Sequence, residues 1–320
     1  MTSLITNSSA MNALQSLRSV NKGLSQVQDR ISTGLKVGSG KDSAAYFQIS
    51  ETMKGDSGAY DAINEGLTLT KNSIATARLG AETVGDLAQQ FLDKVAFAQG
   101  AKGGETEIEN DLAELVKQME TTLSQSTFNG DDMLAASGTG YATAGSIAAA
   151  TGVLTATGAS TPAAAASRNV VTGVTRAGGT YATTTISVEN HDLRKLVNDF
   201  KVISTGFATN AINTTAVAGP PVSTQGAVFL AGALKSSEGV LDKVTTIATK
   251  LGQSEKSVEN QQEFLNKLVA NIDSGVGSMI DADMEEEAAR LTALQTQQQL
   301  ATQALSIANQ GPQNVLSLFR

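Results

Sequence analysis

The sequence predicts a mainly α protein: an elongated coiled-coil helical bundle formed by its N- and C-terminal segments, with a small α+β outer insertion. Two long seams and the placement of the prolines carry this reading. From Ile49 to Ala98 a non-polar or small residue returns at alternating spacings of four and three, through Met53, Asp56, Tyr60, Ile63, Leu67, Thr70, Ile74, Ala77, Ala81, Val84, Ala88, Phe91 and Val95. A second seam runs Leu234, Ser237, Leu241, Val244, Ala248, Leu251, Ser254, Val258, Gln261, Leu265, Leu268 and Ile272. Such spacing averages about 3.5 residues per turn, the period of helices that wrap each other in a left-handed supercoil. Pro162, Pro220, Pro221 and Pro312 all lie outside both seams, as helix interiors require.

The elements follow in chain order. Met11, Leu14, Leu17, Val20, Leu24, Val27, Ile31 and Leu35 form the apolar stripe of an N-terminal amphipathic helix. The first long helix comes next, and its length of roughly 75 Å exceeds the need of a globular core. It carries Gly55, Gly58, Gly66, Gly80 and Gly85, each costing up to about 1 kcal/mol against alanine, so it depends on partner helices. A shorter seam at Ile108, Leu112, Leu115, Met119 and Thr122 supplies a third helix, which makes a bundle.

From Met133 to Val188 the only charged side chains are Arg168 and Arg176, and the texture turns to Ala, Gly, Thr and Ser. Arg168–Val174 and Thr180–Val188 read as short strands. Leu193, Leu196, Val197 and Phe200 have helical spacing. After the second long seam, Met284, Ala288, Leu291, Leu294, Gln298, Ala301, Leu305 and Ala308 mark a C-terminal helix. Asp281, Asp283, Glu285, Glu286 and Glu287 open it, where the helix dipole favours acids, and Asp283 with Glu286 reads as a capping box.

Composition excludes several function classes. A formal net charge of -8 and a pI near 4.8 argue against nucleic acid and against an anionic membrane as partner. Aromatic content of 4% without tryptophan is too thin for a large globular core, so burial must come from aliphatic seams. There is no cysteine, hence no disulfide and no thiolate metal site. Met1 to Ser9 are rich in Ser, Thr and Asn and lack the apolar run of a cleaved secretory signal, so export would use another route.

Enzyme chemistry fails on residue types. His191 is the only histidine, which rules out a His-Glu-x-x-His zinc pair and leaves any triad resting on one side chain. Gly38-Ser-Gly40-Lys41 lacks the phosphate-loop Gly, having Leu35 in its place, and Asp42 follows the lysine where Ser or Thr is needed. Asp281-Ala-Asp283 is no calcium loop, since Glu286 and Thr292 occupy its Gly and Glu positions. No catalytic, cofactor or metal site is predicted.

Three motifs carry a family resemblance. Ile31-Ser-Thr-Gly-Leu-Lys-Val-Gly-Ser-Gly-Lys-Asp42-Ser-Ala-Ala45, Ser126-Thr-Phe-Asn-Gly130 and the end Ala308-Asn-Gln-Gly-Pro-Gln-Asn-Val-Leu-Ser-Leu-Phe-Arg320 resemble the terminal regions of bacterial flagellins, in the same order and at similar distances from both ends. Gly38, Ser43 and the bulky Tyr46-Phe47 pair depart from the family pattern and mark a divergent branch.

The resemblance implies a structural subunit that self-assembles into the helical filament of the bacterial flagellum for swimming, outside the cell; the alternative is a hook-filament junction protein. It implies three layers: residues 1–42 with 280–320 as an inner coiled coil, 43–140 with 226–279 as the wall bundle, and 141–225 as the variable outer part. The implied partners are further copies of the chain, sister flagellins, an export chaperone, and the cap and junction proteins.

Assembly contacts are expected at Leu14, Leu17, Leu24, Val27, Ile31, Leu35, Leu291 and Leu305, and at the terminal patch Val315, Leu316, Leu318 and Phe319. Many flagellins carry an Arg followed by Glu and Leu, a patch read by the toll-like innate receptor for flagellin. The equivalents here are Gln90, Asp93 and Lys94, which lack the Arg and put a cation where Leu is usual.

Overall fold

The structure is a computed structural model that describes residues 7–101, 103–134, 146–155, 167–177, 180–215 and 224–317. In chain order the elements are α1 (Ser8–Thr33), α2 (Ala44–Gly100), α3 (Glu105–Gln125), β1 (Ser146–Ile147), β2 (Leu154–Thr155), β3 (Ser167–Ala177), β4 (Thr180–Glu189), α4 (Leu193–Ser204), α5 (Phe207–Ala211), α6 (Gln225–Ile280) and α7 (Met284–Ser317). They divide into two compact units, Tyr60–Asn266 and the pair of segments Met1–Ala59 and Lys267–Arg320.

In the Tyr60–Asn266 unit the α2 seam is buried at every predicted position from Leu67 to Ala98. On α6 every seventh residue is buried from Ser237 through Val244, Leu251 and Val258 to Leu265, the heptad repeat made visible. Other seam positions need correcting. Beside that row, Ala233 and Val240 are buried in place of the predicted Leu234 and Leu241, which are half-buried. The reason is local: the β1–β2 turn lies on this flank, with Ser236 Oγ donating to Gly152 O at 3.2 Å and Leu154 N donating to Ser236 Oγ at 3.1 Å.

On α3, Ile108, Leu112 and Met119 are buried as predicted, but Val116 and Leu123 are buried in place of Leu115 and Thr122, which are half-buried, because α4 and α5 pack on α3 and turn its covered arc by one residue. Side chains bridge the bundle helices at their flanks: Arg78 Nε to Glu255 Oε2 at 2.7 Å and Lys71 Nζ to Glu259 Oε1 at 3.4 Å between α2 and α6, and Lys94 Nζ to Asp111 Oδ2 at 2.6 Å between α2 and α3.

The Ser126–Gly130 motif closes the α3 end against α2. Phe128 and Asp131 exchange backbone hydrogen bonds of 3.1 and 2.9 Å around Asn129 (φ 51°) and Gly130 (φ 79°), a two-residue turn with both central residues left-handed, which favours Asn-Gly. Ser126 lies against Gly80 so closely that any Cβ there would collide with its side chain. That glycine is required by packing, whereas Gly55, Gly58 and Gly66 face open space.

The expected strands form a hairpin, β3 antiparallel to β4 from Ser167↔Glu189 to Ala177↔Thr180, with a register shift between Val171 and Gly173. Tyr60 Oη donates to Val174 O at 3.0 Å and Gln261 Nε2 to Thr172 O at 2.9 Å, which fastens β3 to both long helices. Asp192 caps α4, and Leu193, Leu196, Val197 and Phe200 are all buried as their spacing predicts. Phe200 sits 5.0 Å from Phe91, and Phe207 sits 5.7 Å from Phe229, centroid to centroid.

In the other unit the α2 seam starts differently from the prediction. Ile49 is exposed, and the buried positions are Ser50 and Ser57, one residue along from Ile49 and Asp56. Ser57 Oγ donates to Asp273 Oδ1 at 3.0 Å, and the Met53 methyl reaches towards Gly275. Small polar side chains allow this close pairing, so the seam turns away from Ile49.

A small core of Val37, Val276 and Ile280, backed by Phe47 and Met53, holds the loop after α1. Gly34 ends α1 at φ 73°, and Lys36 N donates to Ile280 O at 2.6 Å. The Gly38–Lys41 stretch is a turn closed by Asp42, whose Oδ2 accepts from Ser39 N and Oγ. Asp283 caps α7 through Glu285 N and Glu286 N at 3.0 and 3.2 Å. That helix runs beyond its expected last residue, Ala308, through Pro312 to Ser317.

Candidate assembly surface

The terminal helices α1 and α7 pair with each other in antiparallel sense. Rungs mark the register: Asn7 Nδ2 donates to Ala308 O at 2.8 Å, Gln298 Nε2 to Asn21 Oδ1 at 2.8 Å, and Arg30 Nη1 to Glu287 Oε1 at 3.1 Å. Near the middle, Gly23 brings α1 close to Leu294. A pair of helices covers only one face of each. Val27 is the one fully buried apolar residue of α1, and Met11, Leu14, Leu300 and Ile307 are exposed.

The predicted contact residues divide accordingly. Val27 is buried; Leu17, Leu24, Ile31, Leu35, Leu291 and Leu305 are half-buried in the pair or at its end; Leu14 faces outward. Leu318, Phe319 and the side chains of Val315 and Leu316 lie outside the described residues. Sequence reading missed the buried carboxylate of Glu287, which Arg30 and Arg290 both approach. Its signal was present: Glu287 lies four residues before Leu291 on the same helix face, so the acid run supplies the seam as well as the dipole.

Gln90 is exposed on α2; Asp93 Oδ1 accepts from Gln89 at 3.1 Å, and Lys94 is occupied with Asp111 on α3. His191 precedes the α4 cap and donates its backbone N–H to Met133 O at 3.0 Å. Burial lowers its pKa first and the nearby Lys250 lowers it further, against an opposing pull from Glu189. Among the described residues no helix is long and apolar enough to cross a membrane.

The model of the bacterial flagellin N-terminal helical region matches residues 4–139, and that of the bacterial flagellin C-terminal helical region matches residues 234–319. A flagellin of Brucella melitensis is 34% identical to this chain over 323 residues, covering the whole of both. Flagellin A and flagellin C of Rhizobium meliloti are each 32% identical, again over the full length of both chains. Matching at both ends, and aligning throughout with full-length relatives, the chain belongs to the bacterial flagellin family.

Proposed function

We propose that this flagellin assembles in three layers: 1–42 with 280–320 inside, 43–140 with 226–279 as wall, and 141–225 outside. As a member of its family the chain is a structural subunit of the extracellular flagellar filament that serves motility, and the hook-filament junction alternative is not favoured. The role is structural, and this reading assigns it no catalytic step. Its partners are further copies, with the export chaperone and the cap and junction proteins serving delivery and the two ends of the polymer.

One observation carries the inner-layer reading: α1 and α7 pair through one face each and leave Met11, Leu14, Leu300 and Ile307 in solvent. Helices with that much unpartnered apolar surface gain by packing on copies of themselves, and head-to-tail contacts that do not close build an open helical tube. Seeding purified chain with filament fragments tests this by electron microscopy. Deleting residues 313–320 should abolish growth while the helical circular-dichroism signal persists, and normal filaments from that truncation would refute the role given to the terminal patch.

Gln90, Asp93 and Lys94 support weak signalling through the innate flagellin receptor, because an arginine's planar fork is missing from the patch. A reporter assay should show low potency, restored by Gln90→Arg with Lys94→Leu. Full potency of the unmodified chain would defeat this reading.

A further inference from the structure

Leu69 and Ser73 lie one turn apart on the same side of α2. Ser73 is buried, whereas Leu69 is 59% exposed. Both line an open cleft of about 550 Å³, whose other walls are the Asn-Gly turn after α3, through Phe128 and Asp131, and the foot of the hairpin, through Arg168 and Asn190. Small-molecule sites commonly span about 300 to 1,000 Å³ and combine apolar walls with a few convergent polar groups. The cleft lies wholly within the Tyr60–Asn266 unit.

Its charge is balanced. Among the described residues lining it, Asp131 and Arg168 are the only charged ones, and they pair with each other, so the cleft favours neither an anion nor a metal ion. Asp131 Oδ2 also accepts from Ser73 Oγ at 2.6 Å, which holds the carboxylate in place. A carboxylate has about four lone-pair sites and a guanidinium five N–H groups, so acceptors and donors both remain for a ligand. Asn190 Oδ1 is buried and has no hydrogen-bond partner among the described residues, a state that native side chains seldom keep. The amide torsion of asparagine is soft, so a rotation presents this oxygen to a hydroxyl entering the cleft. Every hydroxyl both donates and accepts, and a ring of hydroxyls matches this mixed set. Phe128 and Leu69 supply apolar surface for the C–H bonds of such a ring.

We propose that the cleft binds a neutral sugar of one pyranose ring, with Asp131, Arg168 and Asn190 holding its hydroxyls and Phe128 and Leu69 covering its C–H side. This goes beyond the filament reading. Binding of this kind needs no polymer, so it is measured on the soluble full-length chain.

Saturation-transfer NMR with glucose, mannose and galactose, each added separately, tests the site. At least one hexose should receive saturation at its ring protons, with a dissociation constant of millimolar order, as befits a small ring in an open cleft. Asp131→Asn, which keeps the shape and removes the charge, should weaken binding about tenfold. Leu69→Ser, at an exposed position, should leave the thermal melt unchanged and weaken binding about threefold. Leu79→Ser, on an α2 leucine 63% exposed and outside the cleft, should bind as the unmodified chain does. Absence of transfer to all three hexoses, equal binding by the unmodified chain, Leu69→Ser and Leu79→Ser, or displacement of the hexose by inorganic phosphate would overturn the proposal. Each of these results leaves the filament reading standing, because seeded growth measures that separately.

Discussion

The bundle built on the Leu67–Ala98 stretch and the α1/α7 pair use the same apolar periodicity and end with different interiors. In the bundle, Phe91, Leu112, Met119, Phe200, Phe229 and their neighbours are sealed from water on all sides. In the terminal pair the seam residues are mostly half-buried, and polar rungs such as Asn21–Gln298 mark the register. A period of 3.5 tells a helix to find partners, and the number of partners decides how much of the stripe leaves water. The bundle buries its seam within its own chain, whereas the pair leaves part of its stripe uncovered, the part that the proposed assembly gives to other subunits.

The sharpest way to break that contrast is to cut matched side chains. Phe91→Ala should cost the bundle about 3 to 5 kcal/mol, since it opens a cavity against Phe200. Leu305→Ala should shift monomer unfolding by less than about 1 kcal/mol and instead hinder filament growth. Urea denaturation of soluble chain alongside seeded growth measures both. Equal losses of monomer stability would erase the distinction drawn between the two regions.

Glycines sharpen it at smaller scale. Gly80→Ala should destabilise by about 1 to 3 kcal/mol because the new methyl meets Ser126, while Gly66→Ala, in open space, should stabilise by up to about 1 kcal/mol. The two substitutions have the same helix propensity gain, so opposite signs in thermal melts isolate packing. Matching shifts would show that the α3-end turn yields freely.

Native-state hydrogen exchange of the dilute monomer compares the two regions directly. Amides of α1 and α7 should exchange well before those of α2 between Leu67 and Ala98, because local opening exposes little buried surface in a two-helix pair. Equal protection would mean that the terminal pair needs no neighbours.

The smallest effect belongs to His191. Its folded pKa is depressed, so the unfolded chain binds the proton more tightly, and the contribution to stability is present above about pH 6.5 and lost as pH falls through the lower folded value. Denaturant midpoints measured between pH 7 and pH 5 should fall less in His191→Gln than in the unmodified chain. Parallel curves would assign the slope to carboxylates.

The long seams, the cap at Asp283, the strands of the hairpin and the helical spacing of α4 could all be read from the chain, because each rests on interactions within a few residues or on a repeat of fixed period. The three motifs also named the family from the sequence alone. What the sequence left open was which flank of a stripe is covered. Val116 displaces Leu115, Ala233 displaces Leu234, and Ser50 displaces Ile49 because packed neighbours, the β1–β2 turn and α4 among them, turn each helix by about one residue, a step of roughly 100° that periodicity alone does not resolve. The pairing of Arg30 with Glu287 and the collision that reserves Gly80 for a glycine join residues far apart in the chain, so only the tertiary structure could decide them.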